Sequence, residues 1–320
     1  VNVAVVGVGL IGGSIALAAR DRLGADVRES DPAGGLPLTE ALDGAEVAFV
    51  AAPLGVLNEV VDEVLAAAPA DCAVSDVGSV KAPLLREDER FCGGHPLAGS
   101  EQRGREHASA DLFDGATWYL TPTSRTGGVL LERLHRVISG LGARPRAIDA
   151  GEHDRMMASI SHLPHVLANV LVREAHGAIG PSFRDATRVA GANPPLWRDI
   201  YLANRAELSQ AIGAVRAELA AVDRALLEGD GAWLEDWQGF AADRRRELLE
   251  VEGAGGALAE VRVAVPNRPG VVAELALALG RAGINIHDMS LSPSADNTRG
   301  EIAFWVPERE AARAAEVVGA

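Results

Sequence analysis

The chain opens on "VNVAVVGVGLIGGSIALAAR": a continuous apolar run, glycines at fixed spacing, then a helix-forming stretch. No other feature narrows the fold as far. Gly7, Gly9 and Gly12 satisfy G-x-G-x-x-G, with Leu10 and Ile11 between the last two. In such a segment the first glycine permits a tight turn and the second admits a pyrophosphate against bare backbone. The third lets the helix pack closely on the strand. The phosphates then face a helix N-terminus, where unpaired N–H groups and the helix dipole favour an anion. A dinucleotide site is expected. The second strand, near "ADVRESDP", should end in an acid for the adenosine ribose, and Asp31 stands there. Its carboxylate would repel a 2′-phosphate, so NAD is expected over NADP. Arg28 in the same turn is the residue that could host such a phosphate.

Further apolar, strand-like stretches lie at 46–53, 72–79, 90–96 and 117–122, with helical stretches between most of them. Alternation of this kind predicts an α/β fold, a doubly wound parallel Rossmann sheet over residues 1–150. Ligands in such sheets gather beyond the carboxyl ends of the strands. The glycine loop, "DVGSVK" and "GGHPLAGSE" then share one rim, which carries Ser79, Lys81, His95 and Ser100. His95 is placed between two glycines and a proline at the end of a strand, a setting that presents a titratable group to a bound molecule. Taken alone, the stretch also fits a turn histidine with no task. Its neighbourhood favours the functional reading.

From residue 151 the pattern turns helical for roughly a hundred residues. An all-α segment, 151–252, is expected to bind substrate and to dimerise. "SHLPH" sets Ser161, His162 and His165 about one turn apart, with Pro164 kinking or starting a helix. Two histidines at this spacing suit a metal or a substrate. No nearby acid or cysteine completes a ligand set, so no metal is expected. Arg184, Arg188, Trp197 and Arg198 surround the "GANPP" loop. They form either a carboxylate anchor or surface arginines beside a core tryptophan, and composition leaves both open. A glycine/alanine linker at 250–260 precedes the last part, 253–320. There the order β-α-β-β-α predicts a small α+β, ferredoxin-like module whose final strand is missing, so the module is expected to be incomplete.

The net charge of −15 argues against nucleic acid or an anionic membrane as partner. An anionic ligand would therefore need local cations. No apolar run approaches the ~18 residues of a membrane span. The two cysteines, Cys72 and Cys92, show neither zinc nor disulfide spacing, and a reduced cytoplasmic setting is expected.

Taken in order, "GVGLIGGS", "DVGSVK", "GGHPLAGSE", "HDRMMASISHLPH" and "TRVAGANPPLWRDI" resemble the prephenate dehydrogenase family. The tail with "VPNRPGVVAELALALGRAGINI" is similar to an ACT domain, a module that commonly binds amino acids. The resemblance implies oxidative decarboxylation of prephenate to 4-hydroxyphenylpyruvate, with hydride passing to NAD. It makes His95 the general base and Ser79 the residue contacting base and substrate hydroxyl. Ser100, His165, Arg188 and Trp197 become substrate-binding, with Arg188 on a carboxylate. In the tail, Asn267, Pro269, Gly270 and Asn285 become the regulatory positions, with tyrosine as feedback effector. A homodimer is the family-style expectation. Nothing resembling a chorismate mutase bundle precedes the first strand, so no mutase activity is expected. Arogenate as substrate is the nearest alternative, and a non-catalytic amino-acid sensor the more distant one.

Overall fold

The computed structural model describes residues 1–98, 104–252, 258–266, 271, 275, 278–279, 282, 284, 288–294 and 298–319. Ser100, Asn267, Pro269, Gly270 and Asn285 lie outside the described residues. The chain divides into two compact units, Val1–Arg216 and Ala217–Ala320.

In the first unit, β1 (Asn2–Val6), β2 (Asp26–Ser30), β3 (Val47–Val50) and β4 (Ala73–Asp76) form a parallel sheet in the order β2-β1-β3-β4. Strand β1 is apolar throughout because both of its faces are covered. Val3 and Val5 pack with α1 (Leu10–Leu23) and α4 (Gly128–Gly140), against Ile15, Leu134 and Ile138. Ala4 and Val6 face the other way, onto Leu57, Val61 and Val64 of α3 (Leu54–Ala67).

This four-stranded sheet is parallel throughout, as the strand pattern had suggested, and the change of direction comes only in the strands that follow it. A parallel bridge, Val74 to Phe91, joins β4 to the segment leading into β5 (Gly93–Pro96). That strand then pairs antiparallel with β6 (Thr117–Thr121), His95 opposite Tyr119. Strand β7 (Arg144–Ala147) adds in parallel to β6. Its sequence, Arg-Pro-Arg-Ala, lacks an apolar run because it is a largely exposed edge, where proline and charge are tolerated. Hydrophobic periodicity could not reveal it.

The helical part begins one residue before the expected boundary. Helix α5 (Ala150–Met157) is N-capped by Asp149, whose carboxylate accepts the Glu152 N–H at 3.0 Å. A π-helical turn, Ala158–His162, follows and leads into α6 (Leu163–Glu174), with Pro164 in its first turn. The proline's missing N–H thus falls where a helix start leaves donors unpaired, and the extra residue of the π turn absorbs the mismatch. Helices α7 (Pro181–Thr187), α8 (Pro194–Ala203) and α9 (Arg205–Glu228) complete this stretch.

In the second unit, α10 (Gly231–Glu252) is followed by an antiparallel sheet of β8 (Leu258–Pro266), β9 (Asp288–Pro293) and β10 (Arg299–Pro307), ordered β8-β10-β9. Leu258 to Glu260, read from composition as linker, are the first residues of β8. Val261, Val263 and Val265 alternate inward to meet Ile302, Phe304 and Val306, and Ala314 and Val318 of α11 (Ala311–Val318) join the same core. The described residues thus carry the expected ferredoxin-like arrangement. Among them, no helix is long and apolar enough to cross a membrane.

Candidate active site

The glycine loop meets the demands its sequence implied. Gly7 adopts φ +91°, and a Cβ there would lie 2.6 Å from the Ala51 carbonyl oxygen. A Cβ on Gly12 would meet the Gly7 carbonyl oxygen at 1.9 Å, so helix and turn touch through bare backbone. A Cβ on Gly9 would meet nothing within 4 Å. That open face suits a ligand pressing on the backbone rather than a neighbouring protein segment. Helix α1 starts at Leu10 without a side-chain cap and without an acid in its first turn. Its first N–H groups, at Leu10, Ile11 and Gly12, are therefore available to a phosphate. Asp31 accepts the Val8 N–H at 2.7 Å and the Ala33 N–H at 2.8 Å, which fixes its carboxylate beside the glycine loop. Arg28 points elsewhere, donating to the carbonyls of Glu40 and Asp43 at 3.1 and 2.8 Å. The side chain that the sequence offered for a 2′-phosphate is thus engaged at α2 (Leu38–Leu42) and the residue after it.

His95 sits on β5 with only 8% of its surface exposed. The glycines before it serve the packing of the strands. A Cβ on Gly94 would lie 2.6 Å from both the Asp76 carbonyl and Ser75 Oγ, and one on Gly93 would lie 2.5 Å from Thr121 Oγ1. Bare backbone here lets β5 lie tightly between β4 and β6. Beneath it, Lys81 and Asp76 form an ion pair with no side-chain exposure. Lys81 Nζ also donates to the Gly94 carbonyl at 2.6 Å, while Asp76 accepts the Gly94 N–H at 3.1 Å. The pair therefore holds both backbone polar groups of Gly94, the residue before His95. Burial pushes the Lys81 ammonium below its ordinary range, and the Asp76 carboxylate opposes that shift.

The nearest partner of His95 was not anticipated from sequence. Its Nδ1 lies 2.9 Å from Nε2 of His153, a fully buried residue of α5. His153 Nδ1 in turn lies 2.8 Å from Asp154 Oδ1. The Asp154 carboxylate also accepts the N–H groups of Lys81 and Ala82, each at 2.8 Å. It thereby ties the loop that carries Ser79 to α5. Ser79 is half-buried on that loop. Burial first, then the neighbouring His153, Lys81 and His162, hold the His95 imidazole well below its usual value. It is a neutral base at pH 7.

The opposite wall comes from the π turn, α6 and α8. His162 is buried against Asn204, its Nδ1 3.1 Å from the amide nitrogen, which also donates to the Asp154 carbonyl at 2.8 Å. Burial lowers His162 to about 4. His165, one turn on, is half-buried and stacks on Trp197 with ring centroids 3.4 Å apart. Burial lowers its pKa, and the positive charge of Arg188 adds to the effect. The structure thus brings His165, Arg188 and Trp197 together. Arg198 instead pairs with its neighbour Asp199. Among the described residues no group of three or more His, Cys, Asp or Glu gathers to hold a metal ion.

His153, Asp154 and Asn204 escaped the sequence reading. One signal was present: Ala150, His153, Asp154 and Met157 share the buried stripe of α5. A histidine and an aspartate on a core-facing stripe must be paired with something, since burying them unpaired is costly.

Family models agree with this geometry. Residues 30–146 match "Prephenate dehydrogenase, nucleotide-binding domain" and residues 149–238 match "Prephenate dehydrogenase, dimerization domain". The chain belongs to the prephenate dehydrogenase family. Residues 259–320 match the ACT domain. Among curated members of known name, the prephenate dehydrogenase of Bacillus subtilis is 28% identical over 93% of this chain and 90% of its own. A cyclohexadienyl dehydrogenase of Zymomonas mobilis is 29% identical over 73% of this chain and 91% of its own. Of solved structures, prephenate dehydrogenase from Aquifex aeolicus in complex with hydroxyphenyl propionate and NAD+ superposes with TM-score 0.70 and 26% identity. It covers 77% of this chain and 98% of that one. The arogenate dehydrogenase of Synechocystis gives TM-score 0.69 at 26% identity, over 77% of this chain and all of the other.

Proposed function

We propose that this protein is an NAD-dependent prephenate dehydrogenase, producing 4-hydroxyphenylpyruvate and CO2. The observation that carries the reading is His95: a buried, neutral imidazole at the rim of a dinucleotide cradle, within a family whose solved member holds NAD+. NAD, when bound along Gly7, Gly9 and Gly12 with Asp31 at the ribose, supplies the hydride acceptor. His95 takes the proton of the substrate's ring hydroxyl as hydride leaves the same carbon. Loss of the ring carboxylate as CO2 then restores aromaticity. Arg188 holds a substrate carboxylate through its guanidinium fork. His165 and Trp197 form the wall beside it, and Ser79 and Ser100 supply hydroxyls toward the ring and the pyruvyl end. Arg188 acts at contact distance on its ligand, whereas the −15 is spread over the whole chain and screened by salt, so it does not prevent anion binding.

The parts of the chain divide accordingly, with residues 1–150 binding the cofactor and 151–252 binding substrate and joining two copies. Residues 253–320 regulate, with tyrosine as effector through Asn267, Pro269, Gly270 and Asn285. Two buried thiols without a bridge support a cytoplasmic location. The decisive experiment follows NADH absorbance with purified protein, offering prephenate or arogenate, each with NAD or NADP, with and without tyrosine. Turnover with prephenate and NAD is expected. Turnover with arogenate alone would overturn the substrate, a reading that the Synechocystis neighbour makes specific. Silence in every combination would overturn the activity.

A further inference from the structure

We infer that His153 is a positioning residue that fixes the tautomer of His95, with Asp154 setting the direction of the line. The inference rests on the proposed function only in taking His95 as the base. The line begins at Asp154. Its carboxylate faces three donors: the Lys81 N–H, the Ala82 N–H and His153 Nδ1, all at 2.8 Å. Two of the three are backbone N–H groups that can only donate. An acceptor-only carboxylate therefore requires the hydrogen of His153 on Nδ1. With that hydrogen on Nδ1, the His153 imidazole presents the lone pair of Nε2, which lies 2.9 Å from His95 Nδ1. His95 must donate from Nδ1 to satisfy that contact, and its Nε2 is left unprotonated. This is the atom that can take a proton from a substrate.

His153 is fully buried, and groups from several elements surround the two imidazoles. Asp154 approaches from its own helix, Lys81 and Asp76 from the loop and end of β4, His162 from the π turn and Tyr119 from β6. Tyr119 stands edge-on to His153 with ring centroids 5.8 Å apart, which fixes the plane of that ring. Were His153 a cation, both its nitrogens would donate, and His95 would carry its hydrogen on Nε2 and be useless as a base. A free imidazole samples both tautomers, so the line converts a mixed population into the productive one. On accepting the substrate proton at Nε2, His95 keeps its Nδ1–H bond to His153, so no rearrangement accompanies the charge.

Two measurements test this. Nitrogen-15 NMR of the full-length protein with labelled histidine reads the tautomer of His95 without any turnover, the His95→Asn variant assigning its signals. A pyrrole-type Nδ1 and a pyridine-type Nε2 are expected, and the reverse pattern overturns the proposal. In kinetics, His153→Leu removes the acceptor, whereas His153→Gln keeps an amide oxygen near the position of Nε2. A fall in kcat of roughly 10²-fold is expected for leucine, with KM for NAD and prephenate little changed and partial rescue by glutamine. Unchanged kcat in folded His153→Leu overturns the proposal. If the leucine variant does not fold, the NMR pattern and the glutamine variant decide. A wild-type protein with the expected tautomer but no turnover would fault the substrate reading and leave the positioning role standing.

Discussion

The two walls of the cleft are built differently. On one side His95, His153, Asp154, Lys81 and Asp76 are almost wholly buried, and each holds the next within hydrogen-bond distance. On the other, His165 and Trp197 are half-buried and Arg188 is exposed. The first wall rests on strands and on a helix stripe clamped by backbone donors. The second rests on a π turn, a short helix and a proline-fixed loop. The difference fits the proposed roles. A base needs one protonation state and one orientation, which a dry, satisfied network supplies. A carboxylate anchor must meet its ligand from solvent and exchange it.

The division can be broken by experiment. Replacing His95 by asparagine should give the largest loss, with kcat down ~10²–10⁴-fold and KM nearly unchanged. Loss of binding with intact kcat would move His95 to the recognition wall. Lys81→Met leaves Asp76 buried without its cation. A loss of about 3–5 kcal/mol of stability is expected in denaturant unfolding, and a neutral result would show that the pair is not isolated from water. Arg188→Gln should raise KM for prephenate roughly 10- to 100-fold, as removal of a charged hydrogen-bonding group does, and change kcat little. A fall in kcat alone would merge the two walls into one.

The smallest effect concerns pH. His162 is lowered to about 4 by burial, and His95 lies well below its ordinary 6.5 for the same reason. The unfolded chain therefore binds protons below about pH 6.5 that the folded chain refuses. Stability should be complete above that pH and decline as it falls from about 6.5 toward about 4, visible as a falling Tm. His162→Asn should flatten the decline. For the same reason the acid limb of kcat/KM should lie below pH 6.5, and a limb above it would mean that His95 is solvated in the working enzyme.

Much of this architecture was open to reading along the chain. The glycine loop, Asp31 and the apolar β1 announce themselves because backbone geometry and burial on two faces restrict which residues can stand there. His95 stood out because a histidine between two glycines and a proline is unusual locally, whereas Arg188 and Trp197 were singled out by the family resemblance. Strand β7 stayed hidden, since an exposed edge needs no apolar code. So did the antiparallel turn of β5, because residue alternation carries no strand direction.

What the order of residues determined, then, is the cofactor cradle and the inventory of chemical groups. Only the tertiary structure decided which groups touch. His153 lies 58 positions from His95, and Asp154 lies 73 from Lys81, so neither contact has a local signature. Gly93 and Gly94 show the same limit: the sequence marks a place without room for a side chain, and the packed strands reveal that the neighbour is Asp76 and Thr121. A hydrogen bond between distant residues is a property of the packed state, where burial forces each polar group to find a partner.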